Sequence, residues 1–206
     1  MLRIWGRNNS VNVQKVLWCM EEIGLGYERI DAGLAFGVVN TPQYRSLNPN
    51  GLVPTIDDDG FVLWESNAIV RYLAAKHAAG TLWPADLKTR AEADRWMDWN
   101  NTTFWPAIRP LFQGLVRIAP DKRDPRALED SRLKTVEVVR IVDAHLQSRE
   151  YLAGDAFTMG DVVLGCAMWR WMALPVERPA MPNAQRWFDA LASRPACQKV
   201  VMLPLS

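Results

Sequence analysis

A chain of 206 residues, 49% hydrophobic and 23% charged, holds enough apolar mass for one or two globular domains with a substantial core. Its net charge is +1 with both signs interspersed, so no basic block exists to release counterions from nucleic acid, and nucleic-acid binding has no support. No stretch reaches 18 uninterrupted apolar residues, which excludes a membrane-spanning helix. Residues 1–6 are too short an apolar run to read as a signal peptide, and the expected compartment is the cytoplasm.

Leu2-Arg3-Ile4-Trp5 alternates with period two and stops at Gly6, as a short strand does. Over 12–23, Val13, Val16, Leu17, Met20 and Ile23 recur at helical spacing, and Gly24 and Gly26 end that helix. Tyr27-Glu28-Arg29-Ile30-Asp31 reads as a second strand, and the strand, helix, strand order favours a parallel crossover. A loop with Gly33, Gly37 and Pro42 follows, with one helical turn over 44–47. Leu52-Val53-Pro54-Thr55-Ile56 reads as a strand entered through proline, Asp57-Asp58-Asp59-Gly60 as a hairpin turn, and Phe61-Val62-Leu63-Trp64 as the returning strand. Ser66 is expected to cap a helix running to Lys76, with Ile69, Val70, Leu73 and Ala74 on one side.

That order makes a complete α/β domain with a mixed sheet over 1–80, closed by Gly80 and Trp83-Pro84. An all-helical domain is expected over 88–206. Its helices span 89–115 (bent at Pro106 and Pro110), 126–146, a nearly wholly apolar and therefore central 158–171, then 183–192 and 195–201. Cys19, Cys166 and Cys197 are odd in number, widely spaced and set among apolar residues. They read as small buried hydrophobes rather than a disulfide framework or a zinc site.

Four motifs carry chemistry. Asn8-Asn9-Ser10-Val11-Asn12-Val13-Gln14-Lys15 lies between the first strand and helix, at the sheet edge where ligands bind. Ser10 either caps the helix or offers its hydroxyl, with a helix N-terminus, to an anion such as a thiolate. Asn48-Pro49-Asn50-Gly51-Leu52-Val53-Pro54 could hold a cis bond at Pro54 that turns the Val53 peptide groups to a ligand. Trp64-Glu65-Ser66-Asn67 sets an acid and a hydroxyl at a strand-to-helix junction, fit either for capping or for a zwitterionic head group. Phe157-Thr158-Met159-Gly160-Asp161 resembles a capping box that starts the central helix, worth about 1 kcal/mol.

In this order and as a set, these motifs resemble the cytosolic glutathione S-transferase family over nearly the whole chain. The segment from Gly6 to Lys15 is most like bacterial members related to the theta and nu classes, of the enterobacterial B type. The resemblance implies a thioredoxin-like N-terminal domain with a four-stranded mixed sheet, an all-α bundle, a homodimer, and glutathione as co-substrate with no further cofactor and no metal. It gives Ser10 and Asn12 the glutathione sulfur, Val53 the cysteinyl backbone, and Glu65 and Ser66 the γ-glutamyl head. Leu52 departs from the family pattern, since many relatives carry Lys or Gln there for the glycyl carboxylate.

The implied reaction is conjugation of the glutathione thiolate to a small apolar electrophile, with a role in detoxification. The alternatives are a non-catalytic interaction module and a glutathione-dependent disulfide or peroxide reductase. Phe104, Trp105, Arg109, Phe112 and Trp169 are the candidate electrophile wall, joined by Met172, with Arg109 suited to an anionic substrate. Charges on the helix from Ser66 (Arg71, Lys76) and on the next long helix (Asp94, Asp98) are expected to pair across a two-fold axis.

Overall fold

Leu2 and Ile4 point inward and Arg3 outward in strand β1 (Leu2–Trp5), the alternation that a half-buried pleat requires. Helix α1 (Val11–Glu22) follows and returns the chain to β2 (Glu28–Ile30), which pairs parallel to β1 with Ile4 opposite Arg29. Gly6 is required between them, because a Cβ there would stand 2.4 Å from Val13 Cγ2. After a 3₁₀ turn at Leu34–Phe36 and the short helix α2 (Pro42–Leu47), β3 (Thr55–Asp58) and β4 (Phe61–Trp64) complete the sheet. Its order is β2-β1-β3-β4, with β3 antiparallel to both neighbours. Helix α3 (Ser66–His77) closes this thioredoxin-like layer. The structure is a computed structural model and describes residues 1–206.

Two details differ from the sequence reading. The third strand starts at Thr55 rather than Leu52, because Pro54 has no N–H to give the ladder and pairing begins with Thr55 opposite Trp5. Asp57 and Asp58 stay in the strand, held by Arg3 (2.6 Å) and by Tyr72 and Lys76 (2.6 and 2.5 Å). The turn itself is Asp59-Gly60, both at positive φ (50° and 93°), as a two-residue hairpin needs.

The remaining chain is helical: α4 (Leu87–Trp99), α5 (Trp105–Arg117), α6 (Pro125–His145), α7 (Met159–Ala173), α8 (Pro182–Ala192) and α9 (Pro195–Val200). Between α4 and α5 the helix widens into a π turn at Asn100–Phe104. Pro106 and Pro110 each lack the N–H that an α-helical ladder would use, and the irregularity falls in the turn before them rather than at the prolines. Asp161 anchors the start of α7. It is wholly buried and accepts from the Thr158 N–H and hydroxyl (2.9 and 3.0 Å), the Leu152 N–H (3.0 Å) and Trp187 Nε1–H (2.9 Å). Gly160 lets α7 approach α4, since a Cβ there would lie 2.8 Å from the Ala93 carbonyl oxygen.

Helix α1 packs on α3 from its own layer and on α7 and α9 from the other, so one apolar core runs through both halves. The three cysteines are buried and free, and burial pushes the thiols of Cys19, Cys166 and Cys197 up to about 12. Arg71 pairs within the chain to Asp94 and Asp98, and Lys76 to Asp58. The expected pairing of these charges across a two-fold axis is therefore corrected: α3 and α4 already neighbour each other in one subunit. No helix is long and apolar enough to cross a membrane.

Candidate active site

Ser10 stands at the N-cap of α1 (φ −81°, ψ 125°), and its carbonyl accepts the Gln14 N–H at 2.9 Å as a cap carbonyl should. Its hydroxyl makes no capping bond. The first turn of α1 carries no acidic residue, so nothing there opposes an anion at the positive end of the helix dipole. Asn12, two residues on, is exposed. Both residues line a cleft of about 530 Å³ between the sheet layer and the helical half.

One wall of the cleft is the chain around Gly51, Leu52 and Val53. The Val53–Pro54 bond is cis. Asn48, buried, donates to the Leu52 carbonyl (2.9 Å), and the Tyr44 hydroxyl donates to the same oxygen (2.6 Å); both also reach Thr55 Oγ1. These two side chains therefore fix the loop that presents Val53. Gly51 sits at φ 61°, where glycine is unstrained.

The opposite wall belongs to α5. Trp105, Arg109 and Phe112 all face the cleft, and the Trp105 and Phe112 rings lie 6.0 Å apart. Phe104 does not join them: it is fully buried in the core, one residue out of phase with that face. Trp169 is also elsewhere, stacked on Phe188 at 6.3 Å and bonded to the Leu203 carbonyl, and it lines a separate cavity with Leu115 and Leu205. Met172 lines a third cavity with Arg178 and Met181.

Glu65 and Ser66 stand at the start of α3 but are not among the residues lining this cleft. Glu65, rather than Ser66, occupies the N-cap position. It does so at φ 74°, a region where a non-glycine residue is strained, and its side chain makes no capping bond. Ser66 is the first helical residue and is buried.

Several side chains of the site were not singled out from the sequence. Arg7, Arg117 and Arg170 line the cleft with Arg109. Arg170 carried a readable signal, the one basic residue in a helix that is otherwise apolar beyond Asp161 in its first turn. Lys15 is 1% exposed and held only by neutral acceptors, Asn67 Oδ1 at 3.3 Å and Asn101 Oδ1 at 3.1 Å. Burial lowers its pKa to about 8, with the charge of Arg170 adding to that effect and the charge of Glu65 opposing it.

The model of the glutathione S-transferase N-terminal domain matches residues 9–76, and that of the glutathione S-transferase C-terminal domain matches residues 104–195. The chain is 43% identical to glutathione S-transferase GstB of Escherichia coli K12, with all of both chains covered. It is 36% identical to glutathione S-transferase 3 of Zea mays, over 97% of this chain and 93% of that one. Among solved structures it matches the theta class glutathione S-transferase of Xanthomonas axonopodis pv. citri with glutathione bound. There the TM-score is 0.96 and the identity 48%, over 100% of this chain and 99% of that one.

Proposed function

We propose how this chain, which belongs to the glutathione S-transferase family and is a glutathione transferase, makes and spends a thiolate. The Ser10 hydroxyl and the Asn12 amide donate to the glutathione sulfur at the N-terminus of α1. The backbone of Val53 pairs with the cysteinyl part, and Glu65 and Ser66 hold the γ-glutamyl head. Residues 1–80 form the glutathione unit and residues 88–206 carry the electrophile against Trp105 and Phe112. The assembly is a homodimer, acting on electrophiles in the cytoplasm.

The observation that carries this reading is the Ser10 hydroxyl: it sits at a cap position, is free of the capping bond and borders the cleft. A free thiol has a pKa of about 8.5, and lowering it by two units takes about 2.7 kcal/mol of preference for the anion. Hydrogen bonds to a charged acceptor are worth about 1.5–3 kcal/mol each, so two donors and a helix end suffice. The thiolate then attacks an electrophilic carbon, with no general base and no metal needed for the step. The test is retention on immobilised glutathione followed by a conjugation assay with a chloronitroarene. A protein that neither binds the column nor conjugates would overturn the proposal.

A further inference from the structure

Four guanidinium groups, Arg7, Arg109, Arg117 and Arg170, line the cleft, and no carboxylate side chain does. None of the four enters an ion pair with a side-chain carboxylate. Arg170 is 3% exposed. Its Nη1 donates to the Cys166 carbonyl (2.8 Å) and its Nη2 to the Asn9 carbonyl (3.4 Å), while its buried Nε has no protein partner. The buried Nε of Arg7 is likewise unpartnered. Arg117 donates to an α-carboxylate oxygen of Ser206, the last residue, at 3.2 Å, so its charge is met by that group.

These cations are also close to one another. Arg117 and Arg170 both stack on the Phe112 ring, at 5.3 and 6.0 Å from its centroid. Burial lowers the pKa of Arg170, to about 10, and the charges of Arg117 and Arg7 add to the effect; Arg7 is lowered by burial and then by Arg117. A buried cation without an anion is costly, and like charges grouped around it raise that cost. What stays without an acceptor is the Nε–H of Arg170 and of Arg7, and a guanidinium's planar fork matches a carboxylate.

We propose that the electrophile is an organic anion, its carboxylate taken by Arg7 and Arg170 and its apolar body laid against Trp105 and Phe112. This rests on the thiolate reading above and narrows its substrate class. Glutathione carries the same chemistry in its glycyl carboxylate. The electrophile is favoured because Arg109, Arg117 and Arg170 project from α5 and α7, the wall opposite Val53.

The probes are 4-chloro-3-nitrobenzoate and its methyl ester, which share ring, nitro group and leaving group. In each reaction the thiolate sulfur bonds to the ring carbon, the C–Cl bond breaks, chloride leaves with the bonding pair, and the thiol proton goes to water. With rates divided by the uncatalysed ones, wild-type kcat/KM should favour the acid at least tenfold. Arg170→Met should cut the acid-to-ester ratio tenfold or more, and Arg170→Lys should restore part of it. Arg7→Gln, at a less buried position, gives the same readout should the Arg170 variant fail to fold. A wild type without preference for the acid, or variants that lower both rates equally, overturn the proposal. So does a rise in KM for glutathione with both electrophiles, which would assign the cations to the glycyl carboxylate. Loss of glutathione retention in the wild type is a different result: it refutes the thiolate reading itself.

Discussion

Replacing Ser10 by alanine separates two roles that the residue type confounds. Loss of a capping serine ordinarily costs about 1 kcal/mol. Here the hydroxyl makes no capping bond, while the backbone already holds the cap conformation. The expected loss of stability is a few tenths of a kcal/mol, and for a chain of this length about 1 kcal/mol would move Tm by roughly 2–4 °C, so the melt should shift by less than about 2 °C. Activity should respond differently. Of the roughly 2.7 kcal/mol needed to lower the thiol pKa by two units, one donor of two, aided by the helix end, supplies about half or more. The expected fall in kcat/KM is therefore tenfold or greater, about 1.4 kcal/mol or more. The assay is the pH titration of the thiolate ultraviolet absorbance in the binary complex, run beside turnover. The midpoint should move to higher pH, and further in the Ser10→Ala, Asn12→Ala double variant. Unchanged turnover and midpoint, with a stability loss of about 1 kcal/mol, would show that Ser10 is a cap after all and refute the reasoning.

Glu65→Gln should raise KM for glutathione with little change in kcat, because a contact to the remote head group binds ground and transition states alike; steady-state kinetics in both substrates decides it. Asp161→Ala should cost about 3–5 kcal/mol in urea unfolding, since it strands the buried donors of Leu152, Thr158 and Trp187. Lys15 titrates near 8 in the folded chain against 10.5 unfolded, so between those values the unfolded state binds more protons and this group's contribution to stability rises with pH. Because the buried thiols, pushed up to about 12, pull the other way above pH 9, the quantity to measure is the pH dependence of wild type minus Lys15→Met, which should climb from pH 8 to 10. Light scattering should give twice the 23.4 kDa chain mass, and a fully active monomer would contradict the proposed dimer.

Much of the layer over 1–80 was legible because its signals are local: alternation in Leu2–Trp5, helical spacing after Ser10, and Asp59-Gly60 as a hairpin pair. The starts of β3 and α3 were less so. Backbone pairing sets the first, and a non-glycine residue at positive φ displaces the cap from Ser66 to Glu65, which propensity does not anticipate. On α5, Trp105, Arg109 and Phe112 lie at i, i+4 and i+7 and share one face. That phase was present in the sequence and excludes Phe104. The arginine cluster was hidden by separation, with members at positions 7, 109, 117 and 170 brought together only by tertiary packing. The same holds for Arg71 and its two aspartates: the sequence displays complementary charges but not which helices adjoin.

Helix α1, which starts just after its cap Ser10, is gripped by α3 from its own layer and by α7 and α9 from the other. The two halves are therefore not interchangeable parts. A fragment ended in the connection after α3 would keep every residue proposed to touch glutathione, yet it would bare Trp18, fully buried in the intact chain with its ring 5.7 Å from that of Phe157. Ion pairs from Arg194 and Lys199 to Glu22 and Glu21 would go with the lost half. Engineering that grafts the glutathione layer onto a foreign helical partner must thus rebuild the outer surface of α1 first. The placement of the Ser10 hydroxyl, proposed to face the sulfur, is inherited from the whole chain, not from the layer in which it is encoded.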